Sequence, residues 1–193
     1  MEQEIQDISI QRIQEAIPHL QGIDNELIID YTEYTMPNDK HPIHGYPIRF
    51  DGLYIGLREK GKARFSINLK EFEVGANDLV ICSPDDLVQA TLQNDNHLVQ
   101  SMVVSSHFLK EMYISLNSFM PFFAARKDHP VFHLTDDEVK ELKSYFMLIK
   151  ENVVSDDYFR LDTTKRLLAA YLYKLGSILY RHRPELQAEA SKP

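Results

Sequence analysis

Between Glu26 and Ser105 the sequence never holds one apolar period long enough to make a helix. It gives short runs instead: "ELIIDYTEYT", "YPIRF", "LYIGLRE", "KARFSIN", "EFEV", "DLVICS", "DLVQATLQ" and "HLVQSMVVS". Most alternate, and Gly, Pro, Asn or Asp punctuate the joins. A chain with about eight such strands at close spacing has to form a sandwich or a barrel. From Ser106 onward the period becomes helical and is expected to stay so. The change of period divides the chain into a helix or arm over 1–25, a β-barrel over 26–105 and a helical region over 106–193 packed on that barrel. The arm carries Ile10, Ile13 and Ile17 at helical spacing, followed by Pro18.

Two helices are expected in the C-terminal part. Thr135-Asp136-Asp137-Glu138 spells a capping box, in which the threonine accepts from the third helical N–H and the glutamate reaches back to the cap. Val139, Leu142, Phe146, Ile149 and Val153 then form one apolar seam. The next helix is expected from about Asp162 to His182, with a basic last turn before Pro184. It carries two stripes, Leu167, Tyr171, Leu175, Ile178 and Leu168, Leu172, Leu175, Leu179. One partner needs one stripe. The second is covered either within the chain or by a second copy, and the latter reading makes Leu167, Leu168, Tyr171, Leu172, Leu175 and Leu179 a dimer interface. The tail "ELQAEASKP" is polar.

The charge balance and the missing motifs narrow the function. Over 193 residues the net charge is -8, which is not the basic footprint of a nucleic-acid surface. A lone Cys82 allows neither an internal disulfide nor a cysteine-rich zinc site. The N-terminus "MEQEIQDISIQRIQ" lacks the apolar core of a signal peptide, and no run approaches the roughly 18 apolar residues of a membrane span, so a cytoplasmic location is expected. There is no G-x-S-x-G, P-loop or G-x-G-x-x-G. Cys82 ends an apolar run and reads as a buried, inert thiol. Asp85 and Asp86 read as a solvated turn pair. His41 and His44 fall beside Pro42 and Gly45 in a loop, with Asp39 as the nearest acid, and His129 and His133 flank a short extended piece.

Leu57 to Asp86 is the segment with the most specific pattern. A strand turns at Gly61, returns, turns again at Ala76-Asn77-Asp78, runs through Leu79 to Cys82 and stops at Ser83-Pro84. With the helical region behind it, this resembles the N-terminal sensor half of AraC-family transcription regulators. The family usually has glycine where Asn77 stands, and Asn is the other residue that tolerates positive φ. The resemblance implies a mainly β fold with α: a cupin-like (double-stranded β-helix) barrel followed by an antiparallel helical hairpin that dimerises. It implies an effector-binding and dimerisation domain whose homodimer reaches DNA only through a helix-turn-helix half that this chain lacks. The implied effector is a small molecule, a sugar or an aromatic compound.

Cupin metal centres use His-x-His, a glutamate and a further histidine. Those positions fall here on Ile48 and Phe50 (or Pro47 and Arg49), on Tyr54 and on Val88. The set cannot chelate, so no metal, no cofactor and no enzyme activity are expected. The same positions outline a barrel interior instead. Tyr46, Ile48 and Phe50 share one strand face, Val88 and Ala90 another, and Tyr54 lies beyond the bend. The resemblance places Tyr46, Ala90 and Ser101 where sugar-binding members touch sugar. The expected ligand-binding set is therefore Tyr46, Ile48, Phe50, Tyr54, Val88, Ala90 and Ser101. A barrel of this size either fills with side chains or holds one small ligand. A metal-independent cupin enzyme acting on a sugar or small organic acid, and a dimerisation scaffold that binds nothing, stay open as alternatives.

Overall fold

The computed structural model describes residues 6–17, 19–34, 47–84, 86–92, 96–112, 114 and 129–182, with backbone alone at Gln6, Tyr34 and Leu92. Tyr46, His41, His44, Asp39 and Asp85 lie outside the described residues.

The chain opens with β1 (Gln6–Ile8) and α1 (Ile10–Ala16), then β2 (Gln21–Ile23), β3 (Leu27–Asp30), β4 (Glu33–Tyr34) and β5 (Ile48–Phe50). β6 (Gly52–Lys60), β7 (Ala63–Ile67), β8 (Lys70–Val74), β9 (Asp78–Cys82), β10 (Leu87–Leu92) and β11 (His97–Ser105) follow. After α2 (Ser106–Glu111) come β12 (Val131–His133), α3 (Asp136–Val153) and α4 (Arg160–Arg181). The strands make two sheets, one ordered β1-β5-β10-β7-β8 and the other β12-β9-β6-β11-β3-β2, with β4 also on β11. The expected runs from "YPIRF" to "HLVQSMVVS" became β5 to β11. β12 interrupts the helical period expected after Ser106 and falls on the short extended piece expected between His129 and His133. Three residues carry no period of their own, and pairing with β9 decides their state.

The larger sheet has two apolar faces, and each builds a core. Its outer face offers Leu27, Ile29, Leu53, Ile55, Leu57, Leu79, Ile81, Met102 and Val104 to the helices, where Leu142, Phe146, Ile149, Leu168 and Leu172 meet them. Its inner face offers Ile28, Tyr54, Val80, Cys82 and Val103 to the smaller sheet, which answers with Ile48, Phe50, Phe65, Ile67, Val88 and Ala90. α1 belongs to this inner core. Ser9 caps it by accepting from the Arg12 N–H at 3.3 Å, and Ile10, Ile13 and Ile17 are buried among the barrel side chains. The two-sheet barrel with a C-terminal helical pair is a cupin-like fold.

The turns follow the expected chemistry. Gly61 has φ 82° and Asn77 has φ 67°, the left-handed region for which glycine and asparagine are suited. The β7–β8 hairpin is tighter than the sequence suggested. Asn68 and Leu69 both take positive φ, 50° and 68°, in a two-residue turn.

α3 starts at the expected box: Thr135 Oγ1 accepts from the Glu138 N–H at 3.3 Å, and Glu138 accepts from the Thr135 N–H at 3.1 Å. α4 runs antiparallel to it, linked by Lys174–Glu141 at 2.7 Å and Arg181–Glu138 at 3.0 Å. Both leucine stripes of α4 are spent inside the chain. Leu168, Tyr171, Leu172, Leu175, Ile178 and Leu179 are buried in the outer core and Leu167 packs against it. This corrects the expectation of a dimer interface at Leu167, Leu168, Tyr171, Leu172, Leu175 and Leu179. α3 packs on the sheet through Phe146 against Tyr31 and Lys143 on Glu59, and α4 packs along α3, so one chain covers both stripes.

Asp86 is another correction. It is buried, accepting from Asn68 Nδ2 at 2.7 Å and from the Ser83 N–H at 2.6 Å. It pins the β9–β10 turn to the β7–β8 turn and is not solvated.

Candidate functional site in the barrel interior

Strand alternation brings the expected ligand residues to one place. Ile48 and Phe50 on β5, Tyr54 on β6, and Val88 and Ala90 on β10 are all buried in the inner core. Phe50 and Tyr54 stack with ring centroids 5.8 Å apart and planes at 9°. Gly56 gives Tyr54 room to lie along its own strand, because any side chain there would meet the phenol oxygen. Ser101 is half-buried on β11, in register with Gly56 on one side and Asp30 on the other. It shares the inward face with Val103. Cys82 is buried on the same inner surface.

The inner face changes character toward one end. Tyr54, Gly56 and Arg58 follow one another at two-residue spacing on β6, so Arg58 also points inward. It is only 4% exposed. Its Nη1 donates to His97 Nδ1 at 3.0 Å and to the Lys60 carbonyl at 3.4 Å. Because a guanidinium only donates, His97 Nδ1 is the acceptor and the ring is a neutral Nε2–H tautomer at this contact. Gly61 permits the arrangement. Besides its positive φ, a Cβ there would lie 2.5 Å from His97 Nδ1. Burial pushes the Arg58 guanidinium below its usual pKa, opposed by Tyr54 and Asp78. Burial likewise pushes the Tyr54 phenol up, helped by Cys82 and Asp30 and countered by Arg58. These groups therefore share one electrostatic environment. Neither Arg58 nor His97 is among the residues expected from the sequence. The signal was present in the alternation from Tyr54, which puts a charged residue on an inward position.

The same strand is tied to the helical hairpin. The Arg58 carbonyl accepts from the Asn77 N–H at 2.8 Å, and the Asn77 carbonyl accepts from the Leu134 N–H at 2.9 Å. Asn77 Nδ2 also donates to Asp136 Oδ1, at 2.7 Å, in the first turn of α3. The next residue, Glu59, faces outward and accepts from Lys143 of α3 at 2.7 Å and from Gln100 at 2.6 Å. Lys143 and Lys150 both sit over the Tyr31 ring, 5.0 and 5.3 Å from its centroid. Thus two successive residues of β6 point one into the barrel and one onto the hairpin.

Among the described residues no group of three or more His, Cys, Asp or Glu side chains is placed to hold a metal ion. His133 instead bonds Asp78 at 2.8 Å. No helix among them is long and apolar enough to cross a membrane.

No protein-family model and no curated protein matches the chain. Solved structures with a similar chain path include two regulators and a barrel protein. The AraC-like transcriptional activator CuxR aligns over 80% of this chain and 52% of its own, at 14% identity and a TM-score of 0.47. An apo ToxT variant from Vibrio cholerae aligns over 81% of this chain and 58% of its own, at 11% identity and a TM-score of 0.48. A cupin 2 conserved barrel domain protein from Leptotrichia buccalis aligns over 45% of this chain and 39% of its own, at 11% identity and a TM-score of 0.36. The chain thus spans little more than half the length of the regulators it is similar to.

Proposed function

We propose that this chain is the effector-binding and dimerisation part of an AraC-type transcription regulator. A small molecule binds inside the barrel without being transformed. DNA is contacted by a helix-turn-helix half outside this chain. The observation that carries the reading is the double attachment of β6. Arg58 faces the interior while its carbonyl holds Asn77, and Glu59 holds Lys143 on α3. A ligand that favours one placement of β6 therefore favours one placement of the hairpin. The bias is limited by the ligand's differential affinity for the two states, typically about 1–3 kcal/mol.

Self-association in this reading does not use the leucine stripes. It uses the apolar side chains left outside at the α3–α4 turn, Val154, Tyr158, Phe159 and Leu161, of which Tyr158 is 93% exposed. The test is a thermal-shift screen of the purified chain against sugars and small aromatic compounds, with mass spectrometry of the recovered compound and light scattering on the same samples. The reading expects a stabilising compound recovered unchanged and a dimer that dissociates in a Tyr158→Ser, Phe159→Ser variant. A compound recovered chemically altered would mean an enzyme. A dimer untouched by the variant would move the interface elsewhere.

A further inference from the structure

Arg58 is a buried cation that, among the described residues, feels Asp78 only at a distance. Among the described residues it enters no ion pair, and its Nε is buried with no hydrogen-bond partner. The one acid that acts on it electrostatically is engaged elsewhere. Asp78 accepts from the Gly75 N–H at 2.7 Å and bonds His133 at 2.8 Å. Leaving a charge and an N–H donor buried without compensation is costly, and folds keep such groups where something else completes them. The guanidinium is oriented for that completion. Its two hydrogen bonds both leave from Nη1, so the edge carrying Nε and Nη2 remains, which is the edge that grips a carboxylate at two points.

We propose that Arg58 anchors the carboxylate of an effector whose apolar body lies in the barrel against Phe50 and Tyr54. One cation, with His97 neutral beside it, balances one negative charge, which suits a monocarboxylate and not a phosphate ester. This rests on the sensor reading above and narrows its ligand from a sugar or aromatic compound to an organic acid. It also fixes where the signal starts. The charge is met on the residue whose own carbonyl bonds Asn77, two hydrogen bonds from the first turn of α3.

The test titrates the purified chain with octanoate and phenylacetate, and with octanamide and phenylacetamide as neutral partners of the same shape. Two readouts are followed, the melting temperature and the Arg58 Nε–H resonance, assigned by its loss in Arg58→Gln. The acids should raise the melting temperature and shift that resonance, and each amide should bind at least about tenfold more weakly. In Arg58→Gln, with the fold checked by circular dichroism, the acids should lose about ten- to hundredfold in affinity and the amides little. If that variant does not fold, the titration of the unaltered chain still decides. Acids and amides that bind equally, or acids that bind without moving the Nε–H resonance, would overturn the carboxylate anchor and leave the sensor reading standing. Binding of neither series would count against both.

Discussion

The two faces of β6 are made from adjacent residues and do opposite things. Leu53, Ile55 and Leu57 point outward into a layer closed by α3 and α4, and each is at most 4% exposed. Tyr54, Gly56 and Arg58 point inward, where a stacked ring, a bare backbone and a buried guanidinium replace aliphatic packing. The outer face has the composition of a core that only has to be stable. The inner face tolerates a charge that packing alone would not select. The contrast lies in one inward position, Arg58, set into an otherwise apolar inner core.

The sharpest way to break that contrast is to cut both faces. Phe146→Ala, in the outer core, should cost about 3–5 kcal/mol in urea unfolding, because a fully buried ring leaves a cavity. Arg58→Met on the inner face should change the ligand-free stability by less than about 1 kcal/mol or raise it, since it removes an uncompensated buried charge. Equal losses would abolish the distinction.

A smaller effect is expected at the clasp that closes the hairpin. Burial would raise the Glu138 carboxyl, but His182, the Thr135 N–H and Arg181 outweigh it and hold the pKa near about 2, against an ordinary 4.5. A folded-state pKa below the unfolded one contributes stability that is fully present above about pH 4.5 and is lost as the pH falls toward about 2. Glu138→Gln should therefore flatten that part of the acid-unfolding curve and cost on the order of 2 kcal/mol at neutral pH. An unchanged acid limb would show that the clasp contributes nothing.

The smallest effect sharpens the comparison at the link between the two faces. Asn77→Ala should cost about 1–2 kcal/mol through its φ of 67° and the lost bond to Asp136, while Asn77→Gly should cost less than half of that. Equal costs would assign the whole effect to the side chain.

Much of the barrel was legible because strand alternation is local. The runs that became β5 to β11, the positive φ at Asn77 and the Thr135–Glu138 box follow from neighbouring residues alone. The leucine stripes of α4 were legible as apolar but not as to who covers them, because one copy of the chain and two give the same periodicity. The pairing of β12 with β9 and the burial of Asp86 against Asn68 depend on partners far along the chain. Within the site, Ile48, Phe50, Tyr54 and Val88 follow from the cupin ligand pattern laid on the two turns, and Ala90 from its alternation with Val88 and from the resemblance. Arg58 follows from alternation with Tyr54 along β6, but a guanidinium is no metal ligand and no position of the cupin ligand pattern falls on it. His97 stands at the first residue of β11, where burial is set by Gly61 across the turn.

The account's central claim is that barrel interior and hairpin share one equilibrium. Hydrogen exchange with and without saturating octanoate tests it most directly. The account predicts slower exchange in Leu53–Arg58 together with Leu134–Lys140, and loss of the second effect but not the first in Asn77→Ala. Protection confined to the barrel strands, with the start of α3 unchanged in the unaltered chain, would contradict it.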